Sequence, residues 1–164
     1  MNKTKEKNQE ILEEDSSTAD IAVLGMMVGD VRYLVRMKEI SEVIPVSDIV
    51  PVPLTHPWFL GIINVHGNLY GIIDLGVYLG GEPAPFGTRS RILLISPQYR
   101  INSGFIVHNL LGIRNLSEFK PCQVTEDQLR NGVSHVYTDQ ENRTWFELDL
   151  STFVREKRFL QIAR

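Results

Sequence analysis

The chain has 164 residues, 43% of them apolar, enough to bury one ordinary core or two small ones. Its 17 Lys and Arg against 20 Asp and Glu give a net charge of −3 with no strongly basic half, which argues against a nucleic-acid partner. Cys122 is the single cysteine, four histidines are scattered without zinc-like spacing, and no apolar run approaches the roughly 20 residues of a membrane helix. A cytoplasmic protein with no metal, no cofactor and no membrane insertion is therefore expected.

Residues 1–20 hold few apolar side chains among mixed charges and read as a flexible tail. Within them "NQEILEED" has the makings of a turn or two of helix if a groove receives Ile11 and Leu12. From Ile21 the texture changes: "IAVLGMMV", Gly29-Asp30 and "VRYLV" predict strand, tight turn and strand, with the Gly-Asp pair supplying the positive φ angles of a two-residue hairpin. "RMKEIS" is a helical turn and "EVIPV" is extended, while Pro45, Pro51, Pro53 and Pro57 forbid a long helix after it. "LGIINV" and "LYGIID" are two strands joined through Gly67-Asn68 and buried on both faces. The loop "GGEPAPFGT" follows, then the strands "RILLIS" and "GFIVHN", an extended and bent "LLGI…RNLSEF", and a polar helix or turn in "VTEDQLRN". "VSHVYT" and "TWFELDL" form a last hairpin, and a helix is expected over 151–162.

The two halves repeat one another. Gly61 opens a hairpin that ends in Asp74-Leu75, and Gly132 opens another that ends in Asp149-Leu150, at offsets of 71 (132 − 61) and 75 (149 − 74). Many short strands with Gly and Pro turns and little helix predict a mainly β fold of two small antiparallel barrels. The expected units are 21–86 with a C-terminal helix at 151–164, and 87–150.

Catalytic chemistry is hard to place. No nucleophile elbow or phosphate-gripping glycine loop is present, and Cys122 follows a proline in a polar segment. Asp74 and Asp149 occupy the same place in each repeat, just before a Leu that starts a helical turn, where a carboxylate caps orphan N–H groups. His56, His66, His108 and His135 are the only metal-ligand candidates, and the alternative reading is a small β-barrel metal- or ligand-binding protein built on them.

"RYLVRMKEISEVIPV", "VPLTHPWFLGIINVHGNLYGIIDL", "TRSRILLI" and "GFIVHNLLGI" resemble the CheW-like domain of bacterial chemosensory coupling proteins, over nearly all of 21–154. Within it, "ISEVIPV…VP…WFLGIINV" looks most like the PilI type, which serves type IV pilus twitching motility. The resemblance implies two five-stranded SH3-like barrels packed side by side and no catalysis. It implies an adaptor between the cytoplasmic tip of a methyl-accepting chemoreceptor and the regulatory, itself CheW-like, domain of a CheA-type histidine kinase. By position it assigns Ile40, Glu42, Asn64, His66, Gly67, Ile92, Leu110 and Ile113 to a receptor-binding groove between the barrels. His66 stands where the family usually has the Arg that pairs with the Glu, so His66 is expected to meet Glu42, and His108 replaces a frequent Asp.

Overall fold

The structure, a computed structural model, describes residues 20–124, 129 and 132–163. The N-terminal leader with Ile11 and Leu12, and most of the polar segment 124–131, lie outside the described residues. The described residues form eleven strands in two sheets: β1 (Ala22–Val28), β2 (Val31–Arg36), β3 (Ile40–Pro45), β4 (Phe59–Val65), β5 (Asn68–Asp74), β6 (Arg91–Ile95), β7 (Ser103–Val107), β8 (Asn109–Asn115), β9 (Lys120–Pro121), β10 (Val133–Thr138) and β11 (Thr144–Leu148). Among the described residues α-helix is confined to single turns, α1 (Leu75–Tyr78), α2 (Leu150–Phe153) and α3 (Lys157–Leu160). The helix expected over 151–162 is thus two separate turns, broken where Glu156 goes back to extended backbone.

One sheet runs β8-β1-β2-β11-β10-β9 and the other β3-β6-β7-β5-β4. The expected mainly β, two-unit architecture is present, with two differences. The ladders stay open among the described residues instead of closing into barrels, and the two-residue β9 makes one sheet six-stranded. The boundary at 86/87 also fails to separate the sheets. β1-β2 from the first half pairs in parallel with β11 from the second, and β6-β7 from the second half pairs in parallel with β5 from the first. Each half lends its leading hairpin to the other.

This exchange explains why the strands are apolar on both faces. On β6, Ile92 and Leu94 enter a core inside the five-stranded sheet with Ile63, Ile72 and Ile106, while Leu93 and Ile95 point the other way. On β1 and β2, Val23 and Leu34 join Trp145 in the core of the six-stranded sheet, and Leu24, Met26, Tyr33 and Val35 face away from it. The outward sets from both sheets meet in one large shared core. At its centre Tyr78 of α1 lies against Phe153 of α2, with ring centroids 5.4 Å apart.

The turns follow from local chemistry. Gly29 takes the positive φ of the first hairpin (57°), alone and without Asp30. The second hairpin turns at His66-Gly67, not at the expected Gly67-Asn68: both residues have positive φ (53° and 85°), and Asn68 already pairs with Val65. That is the backbone of a type I′ turn.

Matching the ladders corrects the repeat. Phe59↔Ile73 corresponds to Val133↔Leu148, and each is followed by a bulge, Phe59/Gly61 in one case and Val133/His135 in the other. The offsets are 74 (133 − 59) and 75 (148 − 73). His135, not Gly132, is therefore the counterpart of Gly61. Asp74 and Asp149 are true counterparts, and both cap as the sequence suggests. Asp74 accepts from the Val77 N–H at 3.3 Å, and Asp149 accepts from the Ser151 and Thr152 N–H groups at 3.1 and 3.4 Å.

Candidate functional site

The same matching relates the two edge strands. Ile40, Glu42 and Val43 of β3 pair with Ile95, Leu94 and Leu93, skipping Ser41; Leu110, Gly112 and Ile113 of β8 pair with Met26, Gly25 and Leu24, skipping Leu111. Ile40 and Leu110 are therefore counterparts, as are Val43 and Ile113. Each bulge rotates the strand so that the residue before it packs on the shared core and the next outward residue stays in solvent. Ile40 and Leu110 are half-buried against that core, while Val43 is 36% and Ile113 67% exposed.

On β3, Glu42 reaches the tip of the β4-β5 hairpin, where its Oε1 lies 3.2 Å from Nε2 of His66. This is the pairing expected from the sequence. The left-handed conformation at His66 aims the ring back toward β3, and the turn is braced by the Gly67 N–H donating to Oδ1 of Asn64 at 3.0 Å. The His66 and Glu42 side chains are 76% and 40% exposed, so the contact orients side chains and adds no more than about 1 kcal/mol of stability.

Ile92 is a correction. Period-2 alternation turns it into the interior of the five-stranded sheet, where it is fully buried and presents no surface to a partner. Val43, which is not among the groove residues expected from the sequence, is exposed at the position that corresponds to Ile113, a relation that appears only once the bulges are aligned.

The histidines are kept apart. His56 stacks on Trp58, with centroids 5.3 Å apart, and His135 lies beside Ser134 and Glu147. His108 accepts the Gly29 N–H at Nδ1 (2.9 Å), donates from Nε2 to the Ala84 carbonyl (3.2 Å) and stacks on Phe86, which ties the first hairpin to the loop before β6. Among the described residues no three of His, Cys, Asp and Glu are grouped to hold a metal ion.

Glu39, next to Ile40, sits in the 3-10 turn that carries the chain from one sheet to the other. It is buried; its Oε1 accepts from the Tyr99 hydroxyl at 2.9 Å, and its Oε2 has no partner among the described residues. Burial pushes the Glu39 carboxyl above its ordinary value, aided by the negative charge of Asp149, and burial with Glu39 itself pushes the Tyr99 hydroxyl up to about 12. A carboxyl raised in the folded state withholds no stability below about pH 4.5, its ordinary value, and loses stability as pH rises through the folded value. Urea midpoints at pH 5 and 8 should therefore fall further for the wild type than for Glu39→Gln. Equal falls would mean that Glu39 ionises in the fold without penalty.

The CheW-like domain family matches residues 22–158. The chain belongs to the CheW-like family. Among its relatives, Protein PilI of Pseudomonas aeruginosa is 23% identical over 146 residues, covering 85% of this chain and 79% of that protein. Protein FrzA of Myxococcus xanthus is 27% identical over 90 residues, 54% of this chain and 55% of its own. The crystal structure of the scaffolding protein TtCheW from Thermoanaerobacter tengcongensis superposes with a TM-score of 0.71 at 20% identity, covering 87% of this chain and 97% of that one. The CheW-like fold expected from the sequence is thus the fold observed. No described helix of this CheW-like chain is long and apolar enough to cross a membrane.

Proposed function

We propose that this protein is a non-catalytic cytoplasmic adaptor that couples the cytoplasmic tip of a methyl-accepting chemoreceptor to the regulatory domain of a CheA-type histidine kinase, in a chemosensory system that controls type IV pilus twitching motility. The observation that carries the reading is the matched pair of edge strands. Ile40 with Val43 and Leu110 with Ile113 present two equivalent apolar ledges, both founded on the shared core. Ledges of this kind suit an amphipathic receptor helix read through a few anchors. The similarity to PilI supports the pilus branch of the proposal.

The test is titration with a soluble receptor tip and, separately, a kinase regulatory domain. Ile113→Asp is the informative variant, because Ile113 is 67% exposed and its replacement leaves the core intact. Its receptor affinity should fall about 30-fold or more, the loss of one interface anchor, with kinase binding unchanged. Unaltered receptor affinity, or competition between the two partners for one surface, would overturn the reading.

The Glu42–His66 contact can be tested directly. Arginine keeps its charge at every accessible pH and can grip a carboxylate with two parallel hydrogen bonds. At pH 8 His66→Arg should bind the receptor tip more tightly than wild type by up to about 5-fold, the worth of one exposed pair. Identical affinities would show the pair to be idle.

A further inference from the structure

Glu39 stands where the chain passes from β2 to β3, and so from the six-stranded sheet to the five-stranded one. Its backbone carbonyl accepts the Ser96 N–H at 2.8 Å, and the next residue, Ile40, is the foot of the β3 ledge on the shared core. The Tyr99 hydroxyl holds Oε1, while the buried Oε2 has no hydrogen-bond partner among the described residues. The charges that act on this carboxyl are negative, those of Asp149 at the cap of α2 and Glu147 of β11. The cations lie elsewhere: Arg36 of β2 and His135 of β10 are 3.7 and 3.5 Å from Glu147, and Lys38 of the same turn is exposed and forms no ion pair with any described residue.

We propose that Glu39 is a proton-operated latch on the β3 ledge: carrying its proton it keeps Ile40 packed on the shared core, and losing the proton loosens the turn Met37–Glu39 and releases Ile40. A buried carboxylate without a cation costs far more than the neutral acid, so the closed turn accepts the neutral form. Ionisation adds a negative charge beside Asp149 and Glu147, and the three-residue turn relieves it by carrying the side chain toward solvent. Ile40 follows, because its own N–H donates to the Met37 carbonyl of that turn.

Burial, with Asp149 and Glu147 behind it, outweighs the Tyr99 hydroxyl and the Leu150 N–H and raises the Glu39 carboxyl. The latch is therefore closed in acid and opens as pH rises through the folded value. Two neighbours stay fixed meanwhile. Burial and then Glu39 push the Tyr99 hydroxyl up to about 12, and Asp149, although burial raises it, is held below the ordinary carboxylate range by hydrogen bonds from Ser151 and Thr152. The latch stands whatever binds the ledge, while its consequence, a receptor affinity that falls as pH rises, rests on the coupling function proposed above.

The test is amide deuterium exchange of the full chain, wild type against Glu39→Gln. At about pH 8 the Ser96 and Ile40 amides should exchange about tenfold faster in wild type, the worth of a buried unpaired polar group, and at about pH 5 the two proteins should exchange alike. The Leu116 amide, which donates to the Ile21 carbonyl, should match in both at either pH. Tyr99→Phe, which removes the hydroxyl that favours the carboxylate, should delay the loss of Ser96 protection to higher pH, a measurement that stands even if Glu39→Gln does not fold. Equal Ser96 exchange in wild type and Glu39→Gln at pH 8, an equal change at Leu116, or an onset unmoved by Tyr99→Phe would overturn the latch. With a soluble receptor tip, Glu39→Gln should bind about tenfold tighter than wild type at pH 8 and alike at pH 5. A ratio that stays flat with pH would overturn its control of the receptor. No binding by either protein, with Ser96 behaving as expected, would uphold the latch and sink the coupling reading.

Discussion

Gly61→Ala is expected to destabilise the protein by about 2–5 kcal/mol, lowering its melting temperature by roughly 5–20 °C. Gly61 has φ of 144°, and a Cβ placed there would lie 2.2 Å from the Val50 carbonyl oxygen and 2.9 Å from Cγ2 of Ile49. The approach is close because Val50 and Ile62 exchange two backbone hydrogen bonds of 2.9 Å, which pin the proline-rich segment after β3 onto β4. A methyl group must break that bridge, move β4 or do both. Gly67→Ala is the control: its φ is also positive (85°), but nothing lies within 4 Å of the added carbon, so only the backbone strain of about 1 kcal/mol remains. Thermal melts of the two variants give the comparison. If Gly61→Ala lost no more than Gly67→Ala, the segment at Val50 would be shown to yield freely.

Phe153→Ala should cost about 3–5 kcal/mol, and the protein should still unfold in a single transition. Phe153 is 2% exposed and lies against Tyr78, which in turn contacts Trp58 and Phe159 at centroid distances of 5.0 and 5.9 Å, so truncation leaves a hole that large, ring-shaped neighbours fill poorly. The single transition follows from topology. Each half contributes its leading hairpin to the other's sheet, and the shared core draws on both, so neither half has an intact sheet when the other opens. Urea titration followed by tryptophan fluorescence reads both sheets, because Trp58 belongs to the shared core and Trp145 to the core of the six-stranded sheet. Two resolved transitions would show that the exchanged hairpins do not bind the halves together.

The amino-acid sequence by itself determined the strands, the hairpins and the caps. Alternation, the sign of φ and the pairing of a carboxylate with free N–H groups act over a few residues, so "VRYLV", Gly29 and the Asp74 and Asp149 caps were legible without tertiary context. The Glu42–His66 contact was legible too, through resemblance to a family whose Glu and Arg occupy those positions. Tertiary structure alone decided the rest. His-Gly-Asn permits a turn at either of two adjacent pairs, and the chain turns at His66-Gly67, where the Gly67 N–H donates to Oδ1 of Asn64 and the His66 ring meets Glu42 across the fold. Ile92 and Ile113 read alike in sequence, yet one is fully buried and the other largely exposed. The difference lies in the bulge at Leu111 and in which sheet each strand joins, and neither is encoded near those residues. The exchange of hairpins between the halves was equally hidden. Strand pairing is settled by burial of both faces across the whole molecule, and a repeat in sequence constrains which strands are equivalent without saying which of two equivalent partners each will choose.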